Sequence, residues 1–459
     1  MNKKLLSLLV LGLAVVLISC VQNNTKQDKD KNVKEMDGLK HPEWSRNANI
    51  YEVNIRQYTE EGTFDAFRTH LPRLKEMGVD ILWIMPIHPV SELNRKGSLG
   101  SYYAVQDYKA VNPEFGDMQD FQELVDEAHS MGMKVIIDWV ANHSGWDNIW
   151  TKDHPDYYEK DKDGKLISPF DWTDVISFDY NNQEMRAAML DALKFWITET
   201  NIDGYRCDVA GMVPTDFWDH ARYELDQIKP VFMLAEDEDQ AGLQRAAFDM
   251  NYGWKLHHLM NEISKEEKTA KDLWAYFLWS GTYFPEDNYR MNFITNHDEN
   301  SWNGTVKERM GDAAQVMAVL AWTVPGMPLI YSGQEAGMDK RLEFFEKDTI
   351  IWGEYIYADF YTKLNSLKEL NPSLNCGADG GMMLQISEGQ NDNIMAFSRE
   401  KDGNQVVVIL NLSKDSQNFK VTGDMVSGSY TELFTEKELD IEDGFEVSLK
   451  PWEYLVYVK

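Results

Sequence analysis

KVIIDWVANH, residues 134–143, is an apolar, β-branched run that closes on Asp138, Asn142 and His143. Its first half has no polar alternation, which predicts a strand buried on both faces, as in parallel sheets. Runs of the same kind recur at 50–55, 80–87, 202–209, 231–236, 247–250, 291–296 and 329–331. Stretches with helical spacing lie between several of them, at 63–77, 118–131 and 184–200. Eight strands alternating with helices predict an α/β fold, a (β/α)8 TIM barrel with insertions.

The barrel pattern is interrupted once and followed by something different. About 40 residues rich in Asp, Trp, Tyr and Pro separate the third strand from the helix at 184–200, far more than an ordinary βα loop holds. A small subdomain inserted after strand 3 is expected there. After Leu370 the helical spacing stops, and strand-like runs at 406–410, 430–434 and 454–458 are joined by Gly- and Asp-containing turns. These predict a C-terminal antiparallel β domain. The expected boundaries are 41–143 and 176–375 for the barrel, 144–175 for the subdomain and 376–459 for the β domain.

The N-terminus reads as an address. Lys3 and Lys4 precede an apolar stretch from Leu5 to Ile18 that is too short to span a membrane comfortably but suits a secretory signal. Leu17-Ile18-Ser19-Cys20 resembles a bacterial lipobox. The expectation is a signal peptide over 1–19, a lipid-modified Cys20, and a polar, flexible tether over 20–40 that anchors the protein to a bacterial membrane. Cys207 and Cys376 are expected to be two separate small side chains rather than a disulfide.

Composition narrows the partner. The chain has 459 residues, with 76 acidic against 45 basic and a net charge of −31. That excess excludes a nucleic-acid binder and disfavours acidic polysaccharides, but suits an uncharged ligand. Apolar residues at 43% are enough for a large core, which excludes disorder. Nothing in the sequence calls for an organic cofactor or sets an oligomeric state.

Reactive groups of such a barrel gather at the C-terminal ends of its strands. Here those ends read DWVANH (138–143), GYRCD (204–208), LAE (234–236), NHD (296–298) and, after the eighth strand, GQE (333–335). Arg206 and Asp208 are two apart, so both point to one face of their strand, and the arginine is expected to keep Asp208 ionised. Glu236 follows an apolar strand, where desolvation favours a protonated acid. His143 and His297 suit sugar hydroxyls. Carboxylates with split protonation are the machinery of glycoside hydrolysis.

These segments are similar to the conserved regions of the α-amylase family, glycoside hydrolase family 13. DWVANH resembles its first region, GYRCDVA (204–210) its second, Glu236 its third and NHD its fourth. PGMPLIYSGQEAG (325–337) and GSYYAVQDY (100–108) resemble two further segments, and all six occur in the family's order. The resemblance implies a retaining glycosidase acting on starch-type α-glucans or maltooligosaccharides. It implies Asp208 as nucleophile, Glu236 as acid/base and Asp298 as the third carboxylate. Arg206, His143 and His297 match supporting residues around the first sugar, and Tyr103 the aromatic that stacks on it. Asn142 matches a position that often ligates a structural Ca2+, with Asp174 and Asp179 as further candidates, although holding a loop is an equal reading of Asn142. Trp139, Trp172 and Trp302 lie near the expected rim. Gln334 and Glu335 read as structural. Cys207, the GMVP continuation of the second region and the short inserted subdomain depart from the family pattern. Hydrolysis and transglycosylation stay open, and a non-catalytic glycan-binding subunit is disfavoured because all three carboxylates are present.

Overall fold

The computed structural model describes residues 39–386, 391–423 and 425–459. The signal peptide, Cys20 and nearly all of the tether lie outside the described residues. No helix among the described residues is long and apolar enough to cross a membrane.

Ten strands precede the C-terminal region: β1 (Ile50–Val53), β2 (Ile81–Ile84), β3 (Lys134–Trp139), β4 (His143–Gly145), β5 (Val175–Ser177), β6 (Gly204–Cys207), β7 (Phe232–Ala235), β8 (Met250–Tyr252), β9 (Tyr289–Asn292) and β10 (Met327–Tyr331). Eight of them close into a parallel barrel in the order β1-β10-β9-β8-β7-β6-β3-β2. The eight-stranded barrel is therefore the one expected.

Period two sorts the barrel residues into two layers. Ile50, Ile81, Trp83, Ile136, Phe232, Leu234, Met250, Tyr252, Met291 and Leu329 form one buried cluster inside the barrel. The alternate positions, such as Tyr51, Leu82, Ile137, Cys207 and Met233, pack outward with the helices. Glu52, Asp138 and Arg206 share the inward parity of Ile50, Ile136 and Gly204. The barrel interior is thus apolar at its base and charged at its C-terminal mouth. Gly204 is required at its level: its φ is +150°, and a Cβ there would lie 1.9 Å from the Phe232 carbonyl oxygen.

Several elements end earlier than the apolar runs suggest. The first strand stops at Val53, because a short helix, Ile55–Tyr58, begins there. The seventh barrel strand is Tyr289–Asn292, so Asn296, His297 and Asp298 stand beyond it on the loop rather than at its end. The 63–77 stretch is two helices, Phe64–Arg68 and Leu71–Glu76, with Pro72 in the first turn of the second.

Between β3 and the helix Gln183–Thr200, β4 and β5 form an antiparallel pair. Bridges Tyr158↔Phe178 and Lys160↔Leu166 extend this small unit. The C-terminal region contains β11 (Leu384–Gln385), β12 (Ile394–Lys401), β13 (Asn404–Asn411), β14 (Gln417–Lys420), β15 (Gly428–Glu432), β16 (Glu438–Ile441), β17 (Glu446–Leu449) and β18 (Tyr454–Val458). They form a sheet of order β11-β12-β13-β18-β15-β16 and a β14-β17 pair, all antiparallel. Phe397, Val406, Val408 and Val456 pack one face of the larger sheet into the main core, while Val407, Ile409, Phe419 and Tyr457 build a second core on the other. Cys207 and Cys376 are both buried free thiols, as expected.

Candidate active site

The barrel ladder carries the reactive residues to its rim. The Asp208 N–H donates to the Trp139 carbonyl at 2.9 Å, and the Glu236 N–H to the Cys207 carbonyl at 3.0 Å. Each acid therefore continues its strand by one residue at the C-terminal end. Asp298 precedes a single π-helical turn, Glu299–Asn303. That turn is held by the Asn296 side chain, which accepts from the Glu299 N–H at 2.8 Å. One cleft of about 630 Å³ brings together Tyr103, His143, Asp208, Glu236, His297 and Asp298. Six of the residues singled out from sequence thus meet in one place.

Arg206 lies fully buried beneath them. Its Nη1 contacts Asp138 Oδ1 at 2.8 Å and Asp208 Oδ1 at 3.0 Å, and its Nη2 pairs with Glu236 Oε2 at 2.8 Å. Its Nε donates to the Tyr252 hydroxyl at 3.1 Å. The planar fork of a guanidinium suits this multiple grip. The Val209 N–H donates to the same Glu236 Oε2, at 2.8 Å, from a backbone held at φ +38°.

Five carboxyls, Glu52, Asp138, Asp208, Glu236 and Asp298, surround the two cationic groups Arg206 and His297, so the cluster cannot be fully ionised without excess negative charge. Burial and then Glu236 raise the Asp208 carboxyl well above the usual range, against the lowering by Arg206. Burial likewise raises Asp298, Asp138 and Glu52. Arg206 opposes that rise at Asp208, but its charge is shared among three acids.

The histidines take opposite states. Burial drives His143 down to about 3, so its imidazole is neutral. The Asn142 amide donates to His143 Nδ1 at 3.2 Å, which leaves Nε2–H as a donor. Burial also lowers His297, but Asp298 and Glu52 outweigh it and raise the ring to about 9. His297 Nδ1–H donates to Glu52 Oε1 at 2.5 Å, and Nε2–H to the Tyr103 hydroxyl oxygen at 2.8 Å. That hydroxyl in turn donates to Asp138 Oδ2 at 3.1 Å. The chain Glu52–His297–Tyr103–Asp138–Arg206 links these five side chains beneath the cleft.

The raised histidine gives a pH prediction. Its protonated form contributes stability that is complete below the ordinary value of 6.5 and is lost as pH rises through about 9. The melting temperature of the wild type is expected to fall more steeply over that window than that of His297→Gln. Scanning calorimetry at half-unit pH steps would show the difference, and parallel curves would contradict the assignment.

Tyr103, not its neighbour, faces the cleft; Tyr102 is buried beneath the Arg56 guanidinium, 4.1 Å from its ring centre. Trp172 and Trp302 line the cleft, whereas Trp139 is wholly buried against Tyr108 and Tyr205. Glu335 is structural, pairing with Arg73 at 3.0 Å and the Tyr51 hydroxyl at 2.6 Å. Sequence reasoning missed Glu52, Tyr252, Phe344, Phe345 and Lys96, and gave Asp138 no role. A lone acid in the apolar run IYEV was the available signal for Glu52. Phe344 stacks beside Tyr103 and meets Trp302 at a tilt of 38°, building an aromatic wall from a loop that carries no periodicity.

Two of the candidate calcium ligands are engaged within the protein. Lys96 holds Asp174 at 3.0 Å, and Asp179 accepts from the backbone and side-chain nitrogens of Asn181. Among the described residues no three His, Cys, Asp or Glu side chains gather to hold a metal. No step below runs through a metal.

The chain matches the model of the alpha-amylase catalytic domain over residues 24–175 and 170–366. It matches that of the maltogenic amylase C-terminal domain over 384–456. It is 27% identical over 414 residues to alpha-amylase MalA of Haloarcula japonica, covering 85% of this chain and 59% of that protein's length. Among solved structures it resembles an alpha-amylase from Lactobacillus plantarum, with a TM-score of 0.81, 30% identity and coverage of 91% and 99% of the two chains. It also resembles the maltogenic alpha-amylase AmyB from Thermotoga neapolitana, with a TM-score of 0.81, 27% identity and coverage of 90% and 98%.

Proposed function

We propose, from the premise that this chain belongs to the α-amylase family, that it hydrolyses α-glucosidic bonds of starch-type α-glucans or maltooligosaccharides with retention of configuration. The observation that carries this reading is one guanidinium, Arg206, holding two carboxyls, Asp208 and Glu236, at the mouth of the barrel. A shared guanidinium favours the short carboxyl separation of retaining enzymes, ~5–5.5 Å, over the ~6.5–9.5 Å of inverting ones.

Arg206 occupies Asp208 Oδ1, which leaves Oδ2 to attack the anomeric carbon. The Val209 N–H donates to Glu236 Oε2 and Arg206 Nη2 pairs with the same oxygen, which leaves Oε1 to carry the proton to the departing glycosidic oxygen. The bond to the leaving sugar breaks as the bond to Asp208 forms, giving a glycosyl ester. Glu236, now a carboxylate, takes a proton from water, whose oxygen attacks the same carbon and frees Asp208. Asp298 and the neutral His143 face the cleft, where they serve the sugar hydroxyls. Tyr103, stiffened by its two hydrogen bonds, presents a flat face to the ring. The acidic chain repels anionic polymers and leaves a neutral glucan as the fitting partner.

Product analysis tests the reading. Incubation with amylose, pullulan and maltotriose, followed by chromatography and by proton NMR of the first product, is expected to show shorter α-glucans released initially as the α-anomer. Initial β-anomer, or no cleavage of any of the three, would overturn it. Products longer than the substrate would mark transglycosylation as the main reaction instead.

Export and lipidation complete the proposal. Cys20 follows a lipobox-like Leu-Ile-Ser, and modification there would tether the enzyme to a membrane. Cys20→Ala is expected to move the protein from the membrane fraction to the soluble one after cell lysis. Unchanged membrane association would count against the anchor.

A further inference from the structure

One side of the cleft is fastened shut. Glu236 stands at the end of β7, and in the closed strand order β7 is four places from β1 in either direction. The acid/base and β1 therefore face each other across the barrel mouth. β2 and β10 flank β1, and the segments that follow these three strands lock together. Arg56 and Gln57, both buried, sit in the short helix after β1. Arg56 Nη1 donates to the Gly100 carbonyl at 3.0 Å, and Gln57 Nε2 donates to the Glu343 carbonyl at 2.9 Å. Adjacent residues thus pin the segment after β2 and the segment after β10. Those two segments then join directly. The Leu99 N–H donates to the Phe345 carbonyl at 3.1 Å, and the Ser98 N–H donates to Glu346 Oε1 at 2.8 Å. Gly97 marks how near they come: its φ is +64°, and a Cβ there would lie 2.5 Å from Phe345 Cβ.

The segment after β2 also reaches the inserted subdomain. Lys96 Nζ pairs with the buried Asp174 at 3.0 Å. Asp147 Oδ2 accepts from the Glu92 N–H at 3.1 Å and from the Leu93 N–H at 3.3 Å. Lys96, Asp174, Phe344 and Phe345 all line the cleft, so these fastenings belong to its wall. The wall runs from the segment after β10, through the segment after β2, to the subdomain. The connection beside the acid/base is much shorter: β8, the neighbour of β7, ends at Tyr252, and Gly253 alone separates it from the helix Trp254–Ser264. A glucan bound with its leaving group toward Glu236 points its other end, the non-reducing end, at the fastened wall. For an internal bond to reach Asp208, the chain would have to pass through that wall.

We propose that the cleft is a dead end for the non-reducing end of an α-glucan, so that the enzyme cuts from that end and releases one short saccharide of fixed length. The Lys96–Asp174 pair and the Gly97–Phe345 contact are the fastenings that set this specificity. The inference rests on the glycosidase reading above. The test compares maltoheptaose with maltoheptaose whose non-reducing glucose carries an ethylidene bridge across two of its hydroxyls. The wild type is expected to release a single short product from the open chain at the earliest times. It is expected to cut the blocked chain at least about 100-fold more slowly, because a closed pocket has no room for the added carbons. Gly97→Ala must part the two segments, and is expected to raise the ratio of blocked to open kcat/KM at least about tenfold by relieving that clash. Lys96→Ala, which releases the other fastening, is expected to move the ratio in the same direction. Wild-type cleavage of the blocked chain as fast as the open one, or a ratio unmoved in both variants, would overturn the inference. A wild type that cut neither chain would overturn the glycosidase reading itself.

Discussion

Asp208→Asn is expected to reduce turnover of maltooligosaccharides on the order of 10⁴-fold or more, with the fold unchanged. An amide cannot form the glycosyl ester, so the two-step route is lost rather than slowed. Glu236→Gln is expected to cost about 10²–10⁴-fold, the usual range for a positioned general acid. The two variants should differ in their response to the leaving group. An activated substrate such as α-maltosyl fluoride needs no protonation, so Glu236→Gln should form its glycosyl ester at nearly the wild-type rate, whereas Asp208→Asn should not. Because Asp208 is raised by burial and by Glu236, neutralising one acid also relieves crowding on the other. Both variants are therefore expected to melt no lower than the wild type. A variant that kept wild-type turnover, or lost it by unfolding, would refute the assignment.

Arg206 is the second position of large effect. It is wholly buried and compensates Asp138, Asp208 and Glu236 at once. Arg206→Met leaves those acids without their cation. Removing one partner of a buried charge network typically costs about 3–5 kcal/mol, and the same change should abolish turnover. Arg206→Lys keeps the charge but not the fork, and one ammonium cannot bridge carboxyls held on separate guanidinium nitrogens. It is expected to fold with a lower midpoint in urea and to lose at least about 100-fold in kcat. Urea titration with an unchanged slope would show that the native fold, not the denatured state, is what changed. A lysine variant of wild-type stability and activity would mean that the arginine only fills space.

The barrel was legible because apolar β-branched runs at 50–55, 80–87 and 134–140 are too short for helices and too uniform for half-exposed strands. Their ends were less legible. Phe293 and Ile294 are as buried as the strand before them, so hydrophobicity continues where the ladder has stopped. Within the site, Asp208, Glu236 and Asp298 stood out because acids beside buried strands are rare and costly. Glu52 carries the same signal but was read as strand. Its partner, His297, is 245 residues away, and only barrel closure between β1 and β10 reveals the pair. Phe344 and Phe345 come from a loop, where no period constrains the side chain and only tertiary structure shows which way it points. The sharing of Arg206 was not legible, because a two-residue spacing shows one arginine beside one acid but not the other two acids that share it.

The most direct test is to trap the covalent intermediate. A 5-fluoro glucosyl fluoride slows both steps and allows the ester to accumulate. Mass spectrometry of the wild type after incubation is expected to show one added fluoroglucosyl unit, mapped by peptide digestion to Asp208 and absent from Asp208→Asn. An adduct on another residue, or none from an enzyme that consumes the reagent, would contradict double displacement through Asp208.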